Sequence, residues 1–463
     1  MRRTILSIAV FSGLAPMAQG QECGVAGPDA VTGQIGAVAN YAPVGDFEAL
    51  GLGLTLCNRG NAGLVVNVNN AQHPIAIANL YKITLGPGPT RIEQIGMSWA
   101  FHEFAVLQTA VCCACTPGTS SLLGPGCSSA NSASIMSTQS QLGPRWQVNA
   151  ASGVSVFPRA NPPIADATMR RVRVPLSELE SGAQIRYITE GMYLAPDDAA
   201  AGHAANGVSW REVTATTIAG NWSFVLTGST VVASPAIEAW AARDAGVRVR
   251  IVDIPGDGRV VVASRATDLG NGQWHYEYAL QNLTSHRAVG GVRVPVHAWS
   301  SVTSPGFHDA AYHGGDGIPA DPANPNTTAR DFDATDWAFA RSAQAARWST
   351  TPFTENDNAN ALRWGTLYNV RFVANAPPTT GTLALELFRP GTPGEAHAEG
   401  LDVPAPPCVG DYNQSGGTPD DADVAAFFTD WNDGAPRADV NFSGGTPDDA
   451  DVSHFFDLWN EGC

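Results

Sequence analysis

The sequence contains almost no lysine. Lys82 is the only lysine among 463 residues, the other basic residues are arginines, and the formal net charge is −17. No stretch forms a basic stripe, whereas binding to a nucleic-acid backbone needs several Lys or Arg contacts to phosphate. The composition therefore argues against a nucleic-acid partner.

Motifs of the common hydrolytic and phosphate-binding sites are also missing. There is no G-x-S-x-G elbow and no glycine-rich loop followed by a lysine. His102-Glu103 lacks the second histidine that a zinc-protease helix requires. These absences lower the expectation of catalysis, although they do not exclude it.

Long apolar runs are absent beyond the N-terminus. A membrane-spanning helix needs about 18 or more consecutive apolar residues, and no later segment offers them. At the start, Arg2 and Arg3 precede an apolar run at 5–14 and small residues at 18–20, a pattern typical of a secretory signal peptide cleaved near Gln21. We expect a secreted or cell-surface protein with no transmembrane segment.

The body is rich in short extended segments. Hydrophobic residues make up 44% of the chain, enough for sizeable cores. Runs of apolar residues broken by Gly, Pro and Asn predict strands, with one short helix at 196–201 and one hairpin that turns at 256–258. The predicted strands are 62–69, 80–85, 169–174, 185–188, 222–227, 247–252, 259–264, 274–280, 292–299, 366–375 and 382–388. Because no long helices intervene, the pattern favours an antiparallel β-sandwich.

The last 56 residues, 408–463, contain one segment twice. Residues 411–424 recur as 439–452 at a constant offset of 28. Each copy places oxygen-bearing side chains at its first, third and fifth positions and a glycine at its sixth, which is the pattern of a calcium-binding loop. The candidate ligands are Asp411, Asn413, Ser415, Asp420, Asp421 and Asp423, with their counterparts Asp439, Asn441, Ser443, Asp448, Asp449 and Asp451. The cofactor predicted is therefore Ca²⁺.

A helix is predicted after each loop. Thr418 and Thr446 suit the N-cap, and the proline that follows each of them suits the first helical position. Apolar residues then recur with helical spacing, which predicts one buried stripe per helix and face-to-face packing of the two. The stripes are Val424, Phe427, Phe428 and Trp431, and Val452, Phe455, Phe456 and Trp459.

This duplicated loop and helix resembles the type I dockerin, over about an eighth of the chain. The resemblance implies calcium binding and docking onto a cohesin-like or other cell-surface protein. Two positions depart from the dockerin pattern. Ala422 and Ala450 occupy the twelfth place, so that Asp423 and Asp451 come one residue later. The fifth place is serine instead of a carboxylate, which removes a charged ligand.

Eight cysteines in an exported chain favour disulfides. We expect Cys408 to pair with Cys463 around the C-terminal module, and Cys23 to pair with Cys57. The cluster of Cys112, Cys113, Cys115 and Cys127 allows three pairings that the sequence does not rank, and a zinc or copper site is the alternative.

Other groups in the body could carry chemistry. His308 and His313, with Asp331, Asp333 and Asp336 nearby, could hold a metal ion. His73 with His102 is a second pair, more typical of a structural role. Trp348 and Trp364 could stack on sugars if they are exposed, although large aromatics in a β-sandwich usually fill its core.

The predicted fold class is mainly β, with an antiparallel β-sandwich body in two sub-domains and a small α-helical calcium-loop module. The predicted division is a signal peptide at 1–20, a disulfide-containing β domain at 21–245, a β-sandwich at 246–402, a proline-rich linker at 403–407 and the module at 408–463. We expect an extracellular binding or surface-assembly protein. The alternative is a polysaccharide-degrading hydrolase or lyase that carries the module as a docking tail, with a polysaccharide as its ligand.

Overall fold

A computed structural model describes residues 23–103, 106–138, 143–159, 167–218, 220–321, 330–413, 415 and 418–462. The predicted signal peptide lies outside these residues. Among the helices that are described, none has both the length and the apolar character needed to cross a membrane.

The first half of the body is a ten-stranded antiparallel sheet with a separate two-stranded sheet. Its elements are β1 Ala30–Asn40, β2 Phe47–Asn58, β3 Leu64–Val65, β4 Ile75–Thr84, β5 Arg91–Met97, β6 Phe101–His102, β7 Leu122–Leu123, β8 Ser128–Ala130, α1 Ala133–Thr138, β9 Val172–Pro175, β10 Ile185–Leu194, α2 Pro196–Ala201, β11 Val208–Ile218 and β12 Asn221–Leu226. The large sheet runs β1-β2-β9-β5-β4-β10-β11-β12, with β8 on β2 and β6 on β4.

Helix α2 confirms the helix predicted at 196–201. The strand predicted at 62–69 is wrong in extent, because only Leu64 and Val65 pair with the two residues of β7.

The second half is a sandwich of two five-stranded sheets. Its elements are α3 Ile237–Ala241, β13 Arg248–Asp253, β14 Arg259–Gly270, β15 Gln273–Asn282, β16 Val289–Pro295, β17 Val302–His308, β18 Ala338–Arg341, β19 Ala345–Ser349, β20 Thr366–Ala374, β21 Pro378–Leu387 and β22 Glu395–Pro404. The sheets run β13-β14-β15-β20-β17 and β18-β19-β16-β21-β22.

Side chains from both sheets form one core, in which Tyr276 and Phe372 of the first sheet meet Trp348 of the second. The predicted hairpin is β13 paired with β14. The predicted class, mainly β with an antiparallel sandwich body and a small helical C-terminus, is confirmed.

The two halves of the body share a buried polar junction. Glu190 of β10 is 1% exposed, and its carboxylate accepts hydrogen bonds from the Tyr81 hydroxyl at 2.7 Å, from Gln281 Nε2 at 2.7 Å and from the Ala236 amide at 2.7 Å. Tyr81 belongs to the first half and Gln281 to the sandwich. Burying a carboxylate without hydrogen-bond donors is costly, and here the donors come from both halves of the body.

Three disulfides join the cysteines in a pattern that the sequence did not indicate. The bridges are Cys23–Cys113, Cys57–Cys112 and Cys115–Cys127. The predicted Cys23–Cys57 pair is wrong, because each of these cysteines meets a neighbour in the loop that carries the cluster. The alternative of a zinc or copper site is also wrong, since all four sulfurs of that cluster are in disulfides. Cys408 is disulfide-bonded, and the predicted bridge to Cys463 lies outside the described residues.

Strand β22 reaches two residues into the segment predicted as a linker. Val403 pairs with Thr379, and Pro404 pairs with Pro378. The Ala405 amide then donates to the Pro377 carbonyl at 2.8 Å. The connection to the C-terminal module is therefore short and begins on the sandwich itself.

Gly33 of β1 provides a test of the disulfide arrangement. A Cβ at this position would lie 2.1 Å from the Cys57 sulfur and 2.2 Å from the Cys112 sulfur. Gly33→Ala should therefore block this bridge and lower the free energy of unfolding by about 2–5 kcal/mol, the usual effect of losing a native disulfide. Thiol titration of the denatured protein should find two free thiols.

Gly36→Ala, in the same strand, is the matched control, because its nearest neighbours would be 3.9 Å away. A fully oxidised Gly33→Ala protein with unchanged stability would contradict the assignment.

Candidate metal centre

Two helices form the scaffold of the C-terminal module, α4 Asp421–Asn432 and α5 Asp449–Glu461. Phe427 and Phe455, both fully buried, stack with ring centroids 4.2 Å apart and planes at 5°. The remaining members of the two predicted stripes pack around this pair. The predicted face-to-face packing is confirmed.

The helices begin later than predicted. The N-caps are Asp420 and Asp448, so the assignment of Thr418 and Thr446 to this position is wrong. In α4 the Asp420 side chain accepts from the Ala422 amide at 2.8 Å, and the Asp423 side chain accepts from the Asp420 amide at 2.9 Å. This reciprocal capping box satisfies two free amides at once.

Asp423 also closes the first loop. Its side chain is only 1% exposed, and its Oδ1 atom accepts a hydrogen bond from the Asn413 amide at 2.9 Å. The Ser415 amide donates both to Asp411 Oδ1 at 2.9 Å and to Asn413 Oδ1 at 2.8 Å. Because they share one donor, these two oxygens lie on the same side of the loop. The hydrogen bond from the Asn413 amide holds Asp423 against the loop.

The second loop repeats this geometry. Asp451 is 1% exposed and accepts from the Asn441 amide at 3.1 Å and from the Asp448 amide at 2.9 Å. The Ser443 amide donates to Asp439 Oδ1 at 3.0 Å and to Asn441 Oδ1 at 2.8 Å. The two copies of the repeat therefore arrange the same oxygen atoms in the same way.

Two glycines allow the backbone to accommodate the extra residue before Asp451. Gly444 and Gly445 have φ values of +83° and +96°, which side chains other than glycine rarely adopt. The chain can thus turn sharply twice and bring Asp451 back to the loop.

The structure places the predicted ligands in different ways. Asp411, Asn413 and Asp423 gather within the first loop, as do Asp439, Asn441 and Asp451 in the second. Asp420 and Asp448 cap the helices. Asp421 and Asp449 are exposed on the first helical turns, and Ser415 and Ser443 use their amides within the loop.

The donor set of each loop fits a hard cation. Carboxylate and amide oxygens are the ligands that Ca²⁺ prefers, and hydroxyl or carbonyl oxygens and water can complete its shell. Neither Asp423 nor Asp451 forms an ion pair with any residue that the structure describes. No described arginine or histidine therefore neutralises these two buried carboxylates. The described residues contain no cluster of three or more His, Cys, Asp and Glu side chains suited to a metal. A cation in either loop would therefore need amide, carbonyl or water oxygens besides the carboxylates.

The module packs directly against the sandwich, which the sequence did not predict. Trp299, in the loop after β16, meets Tyr412 edge to face with centroids 5.1 Å apart. The Arg437 guanidinium lies 4.3 Å from the Tyr412 ring and 5.0 Å from the Trp299 ring. His297 contacts Phe442 of the second loop at 5.2 Å. The proline-rich linker predicted at 403–407 therefore does not hold the module away from the body, because these aromatic contacts bury surface that a free module would expose.

The other proposed sites in the body do not assemble. His308 faces Glu178 at 3.6 Å, whereas His313 Nε2 is bonded to the Met97 carbonyl at 2.8 Å. Burial lowers the pKa of His308, but hydrogen bonding and charge attraction from Glu178 outweigh it and raise that pKa overall. Asp331 accepts from the Gly315 amide at 2.6 Å and so helps to shape its own loop.

The remaining candidates are structural. Asp333 accepts from the Thr335 amide at 2.9 Å, and Asp336 is exposed. His73 and His102 both contact the Glu103 carbonyl oxygen, and burial lowers the pKa of each to about 4. Trp348 and Trp364 are 1% and 4% exposed, so neither forms a sugar platform.

Comparison with known proteins adds little. No family model and no curated protein matches the sequence. Among solved structures, the serine-rich repeat adhesion glycoprotein from Streptococcus agalactiae matches with 10% identity over 76% of this chain and 88% of that chain, at a TM-score of 0.19. At that score the likeness carries no argument.

Trp299→Ala tests the contact between module and body. Removal of this half-buried ring should leave Tyr412 and Arg437 exposed, at a cost of about 1–3 kcal/mol for lost aromatic burial. Hydrogen exchange at 409–413 and 436–442 should become faster. Trp222→Ala removes another partly buried tryptophan, on β12 in the first half of the body, and should leave exchange in the module unchanged. Unchanged exchange in both variants would show that the contact does not hold the module.

Proposed function

We propose that this protein is exported, acts outside the cell as a binding or surface-assembly protein, and carries a C-terminal module that binds two calcium ions, one in each loop. Asp411, Asn413 and Asp423 would hold one ion. Asp439, Asn441 and Asp451 would hold the other. The observation that carries the proposal is the repetition of one hydrogen-bonded arrangement of oxygen atoms around a buried carboxylate in both loops.

Electrostatics supports a cation at these positions. Each loop gathers carboxylates in a chain whose net charge is −17, and twelve acidic residues against one arginine fall within 408–463. A bound divalent ion would neutralise this repulsion locally and fix the loop that precedes each helix. Calcium binding is therefore expected to stabilise the folded module by mass action.

An extracellular location agrees with the disulfides. Three described bridges lie in one sub-domain, and such bridges persist in oxidising compartments but are rare in the cytosol. The module then has two faces with different roles. One packs on Trp299 of the body, and the exposed first turns at Asp421 and Asp449 are available to a cohesin-like or other cell-surface partner.

Calcium titration of the full chain tests the proposal. Calcium should raise the melting temperature of the module, by an amount equivalent to about 2.7 kcal/mol for each bound ion at 100 times its dissociation constant. The double change Asp411→Ala and Asp439→Ala should abolish this response in calorimetry.

The matched control is Asp421→Ala with Asp449→Ala, which removes the same charge from exposed positions outside the loops. Its response to calcium should be retained. An intact chain that shows neither binding heat nor a shift in melting temperature would overturn the proposal.

A further inference from the structure

Two carboxylates are completely buried at one end of the ten-stranded sheet. Asp29 comes directly before β1, and Asp198 lies on α2; both are 0% exposed. The Ala30 amide donates to Asp198 Oδ1 at 2.8 Å, which places α2 against the residue next to Asp29. The N-terminal segment approaches α2 closely here as well, since a Cβ on Gly27 would lie 2.9 Å from Ala201 Cβ.

Four side-chain oxygens in this neighbourhood remain unused. Both carboxylate oxygens of Asp29, Oδ2 of Asp198 and Oδ1 of Asn206 are buried and accept no hydrogen bond from any residue that the structure describes. Asn206 precedes Gly207, whose backbone lies against Ala30, since a Cβ on Gly207 would be 3.1 Å from the Ala30 carbonyl oxygen. Burial of oxygen atoms without partners is costly, above all when they are charged.

Among the residues that the structure describes, no positive side chain forms an ion pair with these carboxylates. None of the ion pairs between described residues includes Asp29, Asp197 or Asp198. Two carboxyl groups thus lie in one region that is closed to solvent and have no positive partner among the described residues.

We propose that Asp29, Asp198 and Asn206 form a calcium site in the body, separate from the two C-terminal loops. The available donors are all oxygen atoms, which select a hard cation, and carbonyl oxygens or water would complete a shell of six to eight ligands. The ion would connect the N-terminal segment, which Cys23 ties to Cys113, with β1 and α2. Its role is structural, because it would provide partners for buried oxygen atoms that have none among the described residues.

The test uses the full chain with the C-terminal loops disabled by Asp411→Ala and Asp439→Ala. After dialysis against buffer with calcium, elemental analysis should find one calcium ion per chain, and a chelator should lower the melting temperature of the body. Adding Asp198→Asn, which keeps the side-chain shape, should remove the ion and the effect of the chelator. Asp46→Asn, at an exposed position of the same sub-domain, should change neither.

Asp29→Asn provides a second, independent variant in case Asp198→Asn fails to fold, and it should lose the ion equally. The proposal is overturned if the loop-disabled chain holds no calcium and its melting temperature ignores the chelator. It is also overturned if that chain holds no calcium and Asp29→Asn makes it more stable, because the two carboxyl groups would then share a proton. The difference in calcium content between the natural and the loop-disabled chain reports the C-terminal loops separately.

Discussion

A buried carboxylate at the third residue of each terminal helix holds the C-terminal module together. Asp423 and Asp451 each accept one amide from the start of their own helix and one from the preceding loop. Each carboxylate thus fixes the angle between loop and helix, and the stacked Phe427 and Phe455 fix the two helices against each other. Without these carboxylates, neither loop would be tied to the helix that follows it.

The module depends on the body in a different way. Its small core is aromatic and includes Tyr412, whose ring is covered by Trp299 of the sandwich and by Arg437 of the module. A unit of this size has little apolar surface to bury on its own. The body therefore contributes part of the core, and the second loop, through Phe442, lies at the same junction. A calcium ion in that loop would lie close to the contact between the module and the sandwich.

The sequence predicted the module well because its signal is local and duplicated. Helical spacing located the stripes that contain Phe427 and Phe455, and the turn glycine Gly444 has the positive φ expected of it. The cap was misplaced from Asp420 to Thr418, because several residue types can cap a helix and only the hydrogen bonds decide between them.

The long-range features could not be obtained in this way. Cysteine spacing does not determine which loops meet, so the Cys57–Cys112 bridge had no local signal. The contact of Trp299 with the module and the burial of Asp29 beside Asp198 join segments that are distant in the chain. Strand positions were predicted better than strand pairing, because alternation is visible locally, whereas the order of strands depends on the whole fold.

The most direct measurement of the central claim is a crystal structure grown with calcium and recorded near a wavelength at which calcium scatters anomalously. The account predicts an anomalous peak in each C-terminal loop, one within reach of Asp411 and Asp423 and one within reach of Asp439 and Asp451. Loops that keep the hydrogen bonds described above and show no peak at either position would contradict it.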